Sequence, residues 1–184
     1  FYNRAINADI SGAYTAFLSH LPKKAHILDA GCGFGRDAKY FLNEGYQVTA
    51  FDASEEMVKL ASKETGLSVR NHTFQDMDFE DEFDGVWAQA SLLHVPYHEM
   101  REIYQKICRA LKSDGIFYGS YKYGHDYMPT PEREFWNMDE KRVRPYFDTL
   151  FDVIKVWAEK DTRSKLAPSL QQMWLNFVVR KKST

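Results

Sequence analysis

The run Ile27-Leu28-Asp29-Ala30-Gly31-Cys32-Gly33-Phe34-Gly35-Arg36 constrains this chain more than any other stretch. An apolar strand that leads through glycines into a helix opens a βαβ unit. Glycine lets the backbone turn tightly and approach a ligand with no Cβ in the way. The chain beyond this run keeps the pattern, with short apolar strands alternating with amphipathic helices. That alternation is the signature of a parallel sheet covered on both faces. Residues 26–30 and 47–52 read as the first two strands, with a helix over 37–44 between them and Gly45 suited to its left-handed end. Ser54 is an N-cap, Glu55 and Glu56 complement the dipole of the next helix, and Gly66 closes it. Strands three and four are expected over 68–74 and 83–90. Met100, Ile103, Ile107 and Leu111 recur at helical spacing between Pro96 and the turn Ser113-Asp114-Gly115, and 115–122 reads as strand five.

The two ends differ in kind. Ala13, Phe17, Leu18 and Leu21 suggest an N-terminal helix stopped by Pro22, and 132–150 carries only a weak helical signal broken by Pro145. Residues 151–161 and 173–181 are both strand-like, which predicts an antiparallel hairpin at one edge of the sheet. The expected fold is α/β: a Rossmann-like, mostly parallel seven-stranded sheet with helices on both faces and a C-terminal antiparallel hairpin. A chain of 184 residues suits one domain. It is expected over 1–184, with 1–22 as a helical lid and 123–150 as a short insertion on the substrate side.

Composition excludes several function classes. A formal net charge of -2 offers no basic surface for nucleic acid or an anionic membrane. No apolar run approaches the ~20 residues of a membrane span, and no signal peptide is visible. Two cysteines, Cys32 and Cys108, cannot build a disulfide framework or a zinc site, which fits a reducing cytoplasm. His72, His98 and His125 show no metal spacing and read as surface residues, so no metal is expected.

The chemistry of the glycine turn narrows the ligand. In a dinucleotide fingerprint, G-x-G-x-x-G, the third glycine would fall on Arg36, whereas here Gly35 gives G-x-G-x-G. That disfavours NAD and a dehydrogenase. Asp29 stands just before the glycines, where a carboxylate would repel a pyrophosphate but can accept hydrogen bonds from an ammonium group. Asp52 ends strand two about 20 residues after the glycines, where a carboxylate can grip both ribose hydroxyls.

Asp29-x-Gly31-x-Gly33 followed by Asp52 resembles the first two motifs of class I S-adenosylmethionine-dependent methyltransferases. The similarity runs on through 74–79, 83–88 and 111–116. The stretch from Trp87 to Pro96 resembles a bacterial subgroup related to tellurite-resistance methyltransferases. The resemblance implies S-adenosylmethionine as cofactor and methyl transfer to a small-molecule acceptor. It places Asp29, Gly31, Gly33 and Arg36 around the methionine part, with Cys32 a small residue in the same turn. Asp52 would bind the ribose, Ala53 and Met57 would pack near the adenine, and Asp76 and Met77 would meet its polar edge. Ala88 and Gln89 would lie beneath the sulfonium, and Tyr2-Asn3 would fold over the cofactor.

Acceptor residues are less defined. His94 reads either as a general base for a proton-bearing acceptor or as a helix-entry residue packed beside Tyr97. Tyr121 and Tyr123 lie on or after strand five, together with Tyr127, Phe135 and Trp136, where an aromatic wall suits a planar or cationic substrate. Trp174 reads as core, and Asp76 could equally be one solvated acid among Asp78, Glu80, Asp81 and Glu82. The rival from another class is a non-catalytic S-adenosylmethionine-binding module. The acceptor, the oligomeric state and any catalytic base stay open.

Overall fold

The computed structural model describes residues 9–124, 135–161 and 172–183. The strands are β1 (His26–Ala30), β2 (Gln47–Asp52), β3 (Arg70–Asn71), β4 (Phe83–Ala88), β5 (Leu111–Lys122), β6 (Phe151–Lys160) and β7 (Met173–Lys181). They form one sheet in the order β3-β2-β1-β4-β5-β7-β6. The pairs from β3 through to β5 are parallel, while β7 runs antiparallel to both β5 and β6. This is the α/β architecture the sequence predicts, hairpin included.

Alternation along the strands fills two cores, because successive side chains leave opposite faces of a sheet. On one face Ile27, Trp87, Ile116, Tyr118 and Val178 pack under three helices. These are α1 (Ser11–Leu18), α2 (Arg36–Asn43) and α3 (Glu55–Thr65). On the other, Leu28, Val86, Phe117 and Phe177 pack under α4 (Met100–Ala110). The short helix α5 (Glu140–Val143) and the turn through Tyr146 and Phe147 complete that side.

Some local expectations shift. Strand three shrinks to two exposed residues, since only Phe51 and Asp52 of β2 offer it partners. β5 starts at Leu111, with Asp114 at φ 60 absorbing the turn that the sequence places before Gly115. Helix α4 begins at Met100, later than Pro96 suggests. Ser54 caps α3 by accepting from Met57 N, and Gly66 ends it with a left-handed φ of 77. Of the segment 1–22 expected as a lid, the described residues include helix α1, which packs into the core. Its buried Ala13, Tyr14 and Phe17 belong to the core, and Phe17 packs on Trp87 and Tyr118. Among the described residues of this segment, Asp9 and Ile10, ahead of the helix, reach the cavity at the strand ends. Tyr2, Asn3, His125 and Tyr127 lie outside the described residues.

Candidate functional site

The carboxyl ends of the parallel strands open on a cavity of about 580 Å³, where open α/β sheets bind ligands. The turn after β1 forms its floor. Gly31 and Cys32 donate their N–H groups to Phe51 O at 3.0 and 2.9 Å, which locks the turn to β2. Gly31 sits at φ 75, and a Cβ on it would meet Ser91 Cβ at 2.5 Å. Ser91 is itself held by a 2.8 Å hydrogen bond from its hydroxyl to Ala30 O. Gly33, at φ 56, has open space where its Cβ would stand, so here the bare backbone faces the cavity.

Asp52 stands beside that backbone. Its Oδ2 accepts from Gly33 N at 2.8 Å and its Oδ1 from Ser54 N at 2.9 Å, which fixes the carboxylate plane with lone pairs to spare. Ala53 and Met57 continue the wall, and His72, Thr73, Phe74 and Gln75 close it. Across the cavity lie Gln89, Ala90, Ser91 and His94 after β4. The far side is made by Glu159, Lys160 and Asp161 at the end of β6 and by Trp174 and Asn176 at the start of β7. Gln89 is held by Tyr118 and Ser120, both from β5. Asn176 Oδ1 accepts from Tyr118 at 2.7 Å, and its Nδ2 donates to Glu159 at 3.1 Å.

Gly31, Cys32, Gly33, Arg36, Asp52, Ala53, Met57, Gln89 and His94 therefore converge as the sequence expects. Others do not. Asp29 is buried behind the turn. Ala88 is fully buried, its side chain spent on the core. Met77 is likewise buried in the core, and Asp76 is exposed with Oδ2 accepting from Thr73 N and Oγ1, both at 2.8 Å. Its carboxyl is held below the usual range by those hydrogen bonds. The neighbouring residues 72–75 line the cavity instead. Tyr121 is fully buried, its hydroxyl 3.1 Å from that of Tyr104, and Tyr123 turns its hydroxyl to Glu140 at 3.1 Å. Tyr121 faces away because the alternation on β5 puts Tyr118 and Ser120, not Tyr121, beside Gln89. The His94 ring lies 5.0 Å from Phe135, while Tyr97 packs on Trp136 and Tyr146.

Sequence reasoning misses His72, Trp174, Asn176, Glu159 and Asp37 as cavity residues. A weak signal existed for the hairpin pair, since polar residues near the open end of two late strands border the strand ends. For His72 and Asp37 there was none.

Asp29 carries an unusual charge burden. Its Oδ2 is buried and has no hydrogen-bond partner among the described residues. Burial first, and then the nearby Asp37, push its carboxyl well above the usual carboxylate range. The folded state thus binds this proton more tightly than the unfolded state. The stability this group contributes falls as pH rises above its ordinary value near 4. Asp29→Asn is accordingly expected to raise the urea midpoint at pH 7, with a gain that shrinks as pH approaches 4. A gain that is constant or grows on acidification would contradict this.

The residues fit an amino-acid-bearing nucleoside. A bare glycine backbone and a pre-oriented carboxylate at Asp52 offer partners to a ribose, Arg36 offers a cation to an amino-acid carboxylate, and apolar Met57 and Phe74 suit a flat base. Among the described residues no group of His, Cys, Asp and Glu could hold a metal, and no helix is long and apolar enough to cross a membrane.

Comparison with known proteins agrees. Residues 27–115 match the family model of a methyltransferase domain. An uncharacterized methyltransferase of Staphylococcus carnosus is 25% identical over 158 residues, 79% of this chain and 76% of that protein. The sarcosine/dimethylglycine N-methyltransferase of Halorhodospira halochloris is 34% identical over 102 residues, half of this chain and 36% of that protein. The 1,6-didemethyltoxoflavin-N1-methyltransferase of Burkholderia thailandensis, solved with that compound and S-adenosylhomocysteine, superposes with a TM-score of 0.76 at 25% identity over 97% of this chain and 79% of that one. With the sheet order and the strand-end cavity, these matches show an enzyme that transfers a methyl group from S-adenosylmethionine.

Proposed function

We propose that the cavity has two halves and that the acceptor is a small molecule bearing nitrogen. The observation that carries this reading is the placement of Asp52 and Gly33 at one end and Glu159, Asp161, Trp174 and Asn176 at the other, with Gln89 between. Gly31, Cys32, Gly33 and Arg36 surround the methionine part of the cofactor, with Asp29 buried under the turn that carries them. Asp52 grips the ribose, and Ala53 and Met57 pack on the base, whose edge meets residues 72–75. Bound S-adenosylmethionine supplies a methyl group already activated on a sulfonium. The chain's task is then to position an acceptor and exclude water.

The far wall supports the acceptor class. Carboxylates at Glu159 and Asp161 and the indole of Trp174 favour an acceptor with N–H donors or positive charge. The Halorhodospira and Burkholderia relatives, both named for N-methylation, point the same way. An amine acceptor must give up a proton, and His94, exposed on the cavity wall, is placed to take it. One domain spanning the chain, and residence in the reducing cytoplasm with Cys32 and Cys108 unpaired, fit this role.

The test is methyl transfer from labelled S-adenosylmethionine to a panel of small amines, N-heterocycles, thiols and tellurite. Transfer to nitrogen acceptors, lost in Glu159→Gln/Asp161→Asn, is the expected result. Transfer to tellurite or thiols alone would favour the tellurite-related subgroup. Tight cofactor binding with no transfer to any acceptor would favour the non-catalytic module.

A further inference from the structure

Asp37 accepts hydrogen bonds on both oxygens of a buried carboxylate, and nothing in the cofactor motif accounts for it. It sits in the first turn of α2, beside the cavity. Its Oδ1 accepts from Arg36 Nε at 2.6 Å and from the Tyr14 hydroxyl at 2.7 Å. Its Oδ2 accepts from Trp87 Nε1 at 2.8 Å and from Arg36 Nη2 at 3.2 Å. The donors come from α1, α2 and β4, so one side chain joins three elements at the methionine end of the cavity.

The fork of hydrogen bonds to Arg36 is the geometry that fixes a guanidinium plane, since two parallel N–H···O contacts remove its freedom to rotate. Arg36 lines the cavity and is its cation on the side of the glycine turn. Asp29 feels the same cation, and Arg36 Nε lies 2.6 Å from Asp37 Oδ1. Tyr14 and Trp87 hold Asp37 from the far side. Tyr14 also stacks on Tyr40 at 3.9 Å, and Trp87 on Tyr118 at 3.9 Å, so the carboxylate has little room to follow Arg36 if Arg36 moves.

We propose that Asp37 is a positioning residue: by anchoring Arg36 against α1 and β4 it sets the guanidinium where the carboxylate of the cofactor's methionine end is received. The inference rests on the cofactor placement proposed for this cavity. It makes the affinity for the amino-acid end of the ligand, and not for the nucleoside end, depend on Asp37.

Titration calorimetry with two ligands separates these. S-adenosylhomocysteine carries the amino-acid end, and 5′-methylthioadenosine lacks it. Asp37→Asn is expected to raise the Kd for S-adenosylhomocysteine about 10-fold or more and to move that for methylthioadenosine less than about 2-fold. Tyr14→Phe, which removes one donor and no charge, should give the same selectivity at roughly 3-fold, and keeps the question answerable if Asp37→Asn does not fold. In an Arg36→Ala background, Asp37→Asn should add almost nothing, because its effect passes through Arg36. Equal losses for both ligands, or a full Asp37→Asn loss without Arg36, would overturn the proposal and leave Asp37 a structural residue. If the unaltered protein bound neither ligand, the cofactor placement itself would fall, and this inference with it.

Discussion

Asp52→Ala is expected to weaken S-adenosylhomocysteine binding by about 100-fold or more while leaving the fold in place. The carboxylate is half-buried and lines the cavity, where the proposed cofactor placement puts the ribose. Hydrogen bonds to charged groups contribute about 1.5–3 kcal/mol each, and a ribose presents two hydroxyls. The loss has a second part. Gly33 N and Ser54 N both donate to this carboxylate, so its removal frees the turn it braces as well as the ligand's grip. Asp52→Asn keeps an oxygen for one of the two N–H groups and should cost about 10-fold, between the alanine variant and the unaltered protein. Calorimetry against S-adenosylhomocysteine, with urea denaturation of the same samples, reads both effects. Full affinity in Asp52→Ala would remove the ribose from this end of the cavity.

A larger effect on stability is expected from Gly31→Ala. Two costs combine at one atom. The backbone at φ 75 disfavours any Cβ by about 1 kcal/mol. The added carbon would also stand 2.5 Å from Ser91 Cβ, an overlap that must be relieved by movement costing about 1–3 kcal/mol. The sum, about 2–4 kcal/mol, is a large share of the stability of a domain this size. Since Ser91 is tethered to Ala30 O, it cannot simply swing aside. Adding Ser91→Gly to Gly31→Ala should therefore recover the overlap part and leave the backbone part. No recovery in the double variant would place the cost elsewhere. Cofactor affinity should fall alongside stability, because the turn that Gly31 shapes is the one that presents Gly33.

The sheet was legible because its signals are local. Apolar runs give β1, β2, β4 and β7 to within two residues, and Ser54 and Gly66 bracket α3 as capping chemistry requires. The cofactor half was legible for the same reason, since Gly31, Gly33 and Asp52 lie in one βαβ unit. The far half was not. Trp174 and Asn176 border the cavity only because β7 enters the sheet between β5 and β6, a pairing between positions distant in the chain. Tyr121 was misplaced by a single step of strand alternation, which moves a side chain from one face to the other. Asp37 was invisible in the sequence because its partners, Tyr14 and Trp87, are drawn from either side of it by 23 and 50 residues.

The insertion of β7 divides the cavity by chain position. Asp9, Ile10, the glycine turn, Asp52 and the wall through Val95 all precede β5, whereas Glu159, Lys160, Asp161, Trp174 and Asn176 all follow it. On the proposed division of the cavity, substitutions in the last two strands are expected to re-shape what is methylated while the part assigned to the methyl donor stays as it is. A scaffold so arranged can exchange acceptors by drift in one hairpin, and a library confined to the facing positions of β6 and β7 is the shortest route to retargeting it.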